Sequence, residues 1–100
     1  MKDIAIYGAG GFGREVACVL KCINEVKPTW NLVGFFDDGK QLGIQTEFGS
    51  VLGGMTQLNS YEKSLSVVFA IGSPRTVSAL RNKVISDKID FPNIIAPDVK

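Results

Sequence analysis

The sequence predicts an α/β fold, a doubly wound parallel sheet of about five strands in the order 3-2-1-4-5. Three observations predict it. Apolar runs that suit buried strands alternate along the chain with segments of helical periodicity. A glycine-rich stretch, Gly8-Ala9-Gly10-Gly11-Phe12-Gly13, stands where the first strand must turn into the first helix. A second strand-to-helix junction, Ile71-Gly72-Ser73-Pro74, follows the most continuous apolar run of the chain.

Each element has its own signal. Strand 1 is the run Asp3 to Tyr7. The first helix runs from Phe12 to Val26, with Val16, Leu20 and Ile23 on one face, and stops before Pro28, whose ring disfavours helical geometry in the preceding residue. Trp30 to Asp37 is nearly all apolar, as expected of a strand covered on both faces, and Asp37-Asp38-Gly39 marks its end. Gly39 to Gly54 is the least regular segment and reads as a surface loop ending in a short strand around Ser50 to Leu52. Met55 to Lys63 reads as a short helix with Thr56 as its cap. Ser66 to Gly72 is β-branched, continuous and stopped by glycine, which makes it strand 4. Ser73 then serves as N-cap and Pro74 as first helical residue of a helix to Lys88, with Val77, Leu80, Val84 and Ile85 as its core face. Asn93-Ile94-Ile95, preceded by Pro92, reads as a last, edge strand.

Composition bounds the function. The chain has 100 residues, enough for one domain, with 45% apolar and 21% charged residues, a globular balance. A net charge of +1 without a basic block gives no footprint for nucleic acid or an anionic membrane. No apolar run has the length of a spanning helix, and the chain enters strand 1 without a leader-like segment, so a cytoplasmic protein is expected. Cys18 and Cys22 are the only cysteines; their i, i+4 spacing is neither a redox pair nor a zinc site and suits half-buried free thiols. The absence of histidine excludes His-based acid–base and triad chemistry within these residues. No catalytic residue and no metal site is assigned.

The groups left are binding groups. In G-x-G-x-x-G, Gly8 permits the turn, Gly10 lets a phosphate approach bare backbone, and Gly13 lets helix and strand pack closely. Gly11 and Phe12 lie in the same loop, where orphan amides and the helix dipole favour an anion. A glycine turn needed only for packing is the other use of the same residues. Asp37 stands 24 residues beyond Gly13 (37 − 13), compatible with an acid on a ribose hydroxyl. Asp37 and Asp38 equally suit a turn in which Asp caps its own backbone, and one Asp can do each job. Gly72 allows close approach, Ser73 offers a hydroxyl, and Arg75 offers either a phosphate contact or a solvated helical side chain. In the predicted order both junctions fall at the carboxyl ends of strands beside the point where the sheet reverses, where ligands of such sheets bind.

Four short segments occur here in one order: Ile4 to Val16 around the glycines, Gly34-Phe35-Phe36-Asp37-Asp38, Val51-Leu52-Gly53-Gly54 and Ala70-Ile71-Gly72-Ser73-Pro74. On these the chain resembles the N-terminal, Rossmann-like domain of the sialic acid O-acetyltransferase (NeuD) and bacillosamine N-acetyltransferase (PglD) family. The resemblance covers nearly the whole chain. It implies a domain that binds a nucleotide-activated sugar, typically a UDP-4-amino-sugar, with Gly8, Gly10 and Gly11 toward the phosphates, Asp37 and Asp38 toward uridine, and Gly72 and Ser73 near the sugar. It further implies a following left-handed β-helix that binds acetyl-CoA as co-substrate, carries the catalytic histidine and assembles homotrimers. Phe12 stands where some members have histidine, and Ala96 where many have the histidine of a His-Pro pair. The hexapeptide repeats of that β-helix do not occur in these residues, so the chain is expected to be the binding domain alone and catalytically inert. A stand-alone NAD-binding or regulatory module is the alternative reading.

Overall fold

A computed structural model describes residues 1–39, 45–92 and 94. The elements are β1 (Lys2–Tyr7), α1 (Gly11–Val26), β2 (Trp30–Phe36), β3 (Gln45–Thr46), β4 (Gly49–Gly53), α2 (Met55–Asn59), β5 (Leu65–Phe69), α3 (Pro74–Lys83) and β6 (Ile89–Asp90). They form one sheet in the order β3-β4-β2-β1-β5-β6. The pairs β1–β2, β1–β5, β2–β4 and β5–β6 are all parallel. Numbered as the sequence predicts them, the parallel strands run 3-2-1-4-5. The addition is β3, which pairs antiparallel with β4 and makes the outer edge a small hairpin. Two residues of β3 carry too little pattern to be seen in sequence.

Strand β1 is central because it can be. Ile4, Ala5, Ile6 and Tyr7 are all buried, and their alternation feeds two cores. On one face Ile4 and Ile6 meet Phe35, Val51 and Ala70, and α1 covers them with Ala17 and Leu20. On the other, Ala5 and Tyr7 meet Phe36, Leu65 and Val67 under Leu58 of α2, with Leu80 and Val84 of α3 packed alongside. Each large apolar side chain buried this way contributes about 1.5–3 kcal/mol. The exposed Arg14–Glu47 ion pair, by contrast, adds about 0–1 kcal/mol. The sheet, not surface charge, holds the fold. Helices on both faces of a mostly parallel sheet make it doubly wound.

Several boundaries differ from the sequence reading. Helix α3 ends at Lys83, not Lys88, because the Asn59 side chain intercepts the backbone there. Asn59 Nδ2 donates to the Lys83 carbonyl at 3.0 Å, and its Oδ1 accepts from the Ile85 amide at 2.8 Å. Ile85 therefore leaves the helix and is 84% exposed, while Val77, Leu80 and Val84 do face inward. The early end lets the chain re-enter the sheet at Ile89–Asp90, so the fifth parallel strand is β6. The expected strand Asn93–Ile95 is not where it was placed: Ile94 is not in a strand, and Asn93 and Ile95 lie outside the described residues. So do residues 40–44 of the expected loop and Ala96. Helix α2 stops at Asn59 rather than Lys63, and β5 stops at Phe69 rather than Gly72. Thr56 does not cap α2; Gly54 is its N-cap, and Asp38 Oδ1 accepts from the Met55 amide at 3.0 Å. Cys18 and Cys22 are free, as expected, but exposed rather than half-buried, since Ala17 and Leu20 take the inner face. No helix among the described residues is long and apolar enough to cross a membrane.

Candidate functional site

The carboxyl end of β1 is where the glycine stretch begins, and Tyr7 and Gly8 together tie this corner to both neighbours. The Gly8 amide donates to the Phe36 carbonyl of β2 at 2.7 Å, and the Ala70 amide beyond β5 donates to the Tyr7 carbonyl at 2.9 Å. Gly8 has a φ of +116°, and a Cβ on it would lie 2.7 Å from the Ala70 carbonyl oxygen. Only glycine makes that turn against β5. The two junctions singled out in sequence are therefore adjacent in space, on either side of the reversal of the sheet.

The other glycines divide into two kinds. A Cβ on Gly13 would stand 2.1 Å from the Gly8 carbonyl oxygen, so Gly13 is the close-packing glycine. Gly10 and Gly11 have nothing within 4 Å of a Cβ, and Gly10, Gly11 and Phe12 are exposed. Gly10 is the N-cap of α1, with no side-chain cap, and the Arg14 amide is the first to bond back to the Gly10 carbonyl. The amides of the first turn thus start a 16-residue helix whose dipole favours an anion. Phe12, on that turn, keeps 46% of its surface exposed. The rim is open backbone and one aromatic ring.

Asp37 and Asp38 separate into different tasks. Asp37 Oδ2 accepts from the Ala9 amide of the glycine loop at 2.8 Å, and its Oδ1 accepts from the Gly39 amide at 2.8 Å. It is at once a wall of the loop and the cap of its own turn. Asp38 Oδ1 caps α2 through Met55, and its Oδ2 accepts from the Tyr7 hydroxyl. Gly54 makes room for this, since a Cβ there would lie 2.1 Å from Asp38 Oδ1. The Tyr7 bond, first, and the Met55 amide hold the Asp38 carboxyl below its usual range. Burial, then the bond to Asp38, push the Tyr7 phenol well above its ordinary value.

This pair gives stability a defined pH window. Asp38 has a depressed folded pKa, so its contribution is complete above about pH 4 and is lost as pH falls through the folded value. Tyr7 has a raised folded pKa, so its contribution is complete below about pH 10 and is lost as pH rises beyond it. The melting temperature should therefore fall between pH 10 and pH 12 more steeply for the parent chain than for Tyr7→Phe. Equal alkaline slopes in the two proteins would show that the bond is not linked to folding.

At the second junction Ser73 caps α3, accepting from the Thr76 amide at 3.3 Å, with Pro74 at the first helical position. Gly72 is exposed with no neighbour within 4 Å of a Cβ. A cleft of about 600 Å³ opens beside Gly72, between α3 and Phe91. A second cavity, of about 450 Å³, lies among Lys2, Asp3, Ser66 and Asp90, at the amino ends of the strands and so away from the glycine loop. Arg75 is exposed and makes no ion pair among the described residues. The structure thus gathers Gly8, Gly10, Gly11, Phe12, Gly13 and Asp37 in one loop region, and brings Ala70 and Ile71, the residues just before Gly72 and Ser73, against Gly8, while the cleft at Gly72 itself is lined by α3 and Phe91. Asp38 turns toward α2 instead. Tyr7 was missed in sequence; the one signal was a polar-tipped residue closing an otherwise aliphatic strand.

No group of three or more metal-ligating side chains occurs among the described residues. A family model described as the PglD N-terminal domain matches residues 3–87. No curated protein matches the chain.

Proposed function

We propose a function from one premise: the chain belongs to the family of the PglD N-terminal domain, the N-terminal domain of sugar acetyltransferases. On this reading it binds a nucleotide-activated sugar, a UDP-amino-sugar, at the carboxyl ends of β1 and β5. The observation that carries it is the open backbone of Gly10 and Gly11 at the start of α1, walled by Asp37. The pyrophosphate takes the free amides of that turn, where charge-assisted bonds are strong. Asp37, an acceptor only, takes N–H or O–H donors of the nucleoside, and Phe12 offers an exposed ring to the ligand. Gly72, Ser73 and Arg75 face the sugar side.

Acetyl transfer then belongs to a β-helical domain that brings acetyl-CoA and a histidine base to the sugar amine or hydroxyl, in a cytoplasmic homotrimer. These 100 residues contain no histidine. Calorimetric titration with UDP-N-acetylglucosamine and, separately, NAD tests the reading. Saturable binding of the UDP-sugar, weak or no binding of NAD, and no turnover with acetyl-CoA and a UDP-amino-sugar bearing a free amine are the expected results. Preference for NAD would establish the dinucleotide alternative, and acetyl transfer by the pure chain would place chemistry where none is assigned.

A further inference from the structure

We propose that Cys18 and Cys22 form a metal site on the outer face of α1, a pair of thiols that together bind one soft, two-coordinate cation of the Cu(I) kind. The site is independent of the nucleotide-sugar reading. Both cysteines are free and exposed. They lie within a continuous α-helix, Gly11–Val26, whose opposite face carries the buried Gly13, Ala17 and Leu20. The core therefore does not need them. Their i, i+4 spacing sets them on consecutive turns, with Cβ atoms about 5–6 Å apart. That separation decides what can join them. A disulfide needs Cβ atoms about 3.8 Å apart, so forming one would distort the helix. A bridging ion with metal–sulfur bonds of about 2.3 Å spans up to roughly 4.6 Å between its two sulfurs, a gap that thiols on consecutive turns reach by rotation about χ1. The step of the helix is too long for a disulfide and suits a metal bridge.

The surroundings select the ion. Structural zinc takes four ligands, and no group of three or more His, Cys, Asp or Glu side chains converges among the described residues. Two thiolates alone satisfy an ion that accepts two soft ligands, and thiolate sulfur selects Cu(I) over the harder divalent ions. Glu15 and Glu25 continue the same exposed stripe, three residues before Cys18 and three after Cys22. Between them the only other charge is Lys21, so the stripe has a net negative charge that attracts a cation. Each thiol loses its proton as its sulfur binds, so one Cu(I) releases two protons and keeps its oxidation state.

The test is an anaerobic titration of the reduced chain with Cu(I), in competition with a chromophoric Cu(I) chelator. One Cu(I) per monomeric chain, with the helical circular dichroism unchanged, is the expected result. The second thiolate binds within the same chain, so Cys18→Ser and Cys22→Ser should each weaken binding by about a hundredfold or more. A further variant, Cys22→Ser with Glu25→Cys, keeps two thiols but sets them seven residues apart (25 − 18), about 10 Å along the helix. It should bind no better than Cys22→Ser. All these changes are at exposed positions, so the fold is retained, and melting temperatures near that of the parent check it. A parent chain that takes no Cu(I) from the chelator would overturn the proposal. So would single variants that bind like the parent, a displaced pair that binds as tightly as the native one, or light scattering that shows one ion shared between two chains.

Discussion

Gly13→Ala should lower the stability of this domain by about 3 kcal/mol, the upper end of the usual overpacking cost. For a domain of 100 residues that corresponds to a fall in melting temperature of roughly 15 °C. The reason is local and severe. The added Cβ would stand 2.1 Å from the Gly8 carbonyl oxygen and 3.5 Å from the Phe35 ring. The first contact is with backbone, and that backbone is held by the Gly8 amide bond to Phe36 and by the turn against Ala70. Relief therefore requires α1 to move off the sheet, loosening Ala17 and Leu20 from Ile4, Ile6 and Phe35. Alanine is the better helix former by about 1 kcal/mol, so the sign of the result also decides between propensity and packing. Thermal unfolding followed by circular dichroism measures it. A variant as stable as the parent would mean that α1 does not lie this close to β1.

The centre of the fold was legible because its pattern is redundant. The run Ile4 to Tyr7 is buried whole, the apolar β2 is flanked on both sides, and α1 carries a regular stripe, so strand order and direction follow from chain logic alone. The edges were not. Strands β3 and β6 have two residues each, and no periodicity exists over two residues. The end of α3 was misplaced because its cause is not in its own sequence. The apolar spacing continues through Val84 and Ile85, and only the Asn59 side chain, 26 residues away in sequence, ends the helix there.

The site divides in the same way. The glycine loop and its neighbour across β5 could be placed from their position at strand ends. The separate fates of Asp37 and Asp38 could not, because an Asp-Asp-Gly turn is compatible with either carboxylate facing the loop. What decides between them is tertiary: Ala9 takes one, and Tyr7 with Met55 takes the other. The first and last glycines of the motif, Gly8 and Gly13, are required by contacts inside the fold. Gly10 and Gly11 are not, and that difference isolates the ligand question from the folding question.

Gly10→Val should therefore separate binding from folding. Gly10 has φ −87° and ψ −158°, extended backbone that valine adopts, and a Cβ there has nothing within 4 Å. Its structural cost is limited to a poorer residue at the N-cap, about 1 kcal/mol or less. Its cost to a ligand is larger. The branched side chain would occupy the space through which a phosphate reaches the amides at the start of α1, and those contacts cannot be made at a greater distance. Loss of several charge-assisted bonds is on the order of 2–4 kcal/mol, or roughly 30- to 1,000-fold in affinity. The expected result is a melting temperature within a few degrees of the parent and a UDP-N-acetylglucosamine affinity reduced by that factor. The opposite pattern is equally easy to read. If Gly10→Val melts far below the parent while its native fraction binds the UDP-sugar normally, the loop is glycine-rich for packing alone and the phosphates are held elsewhere.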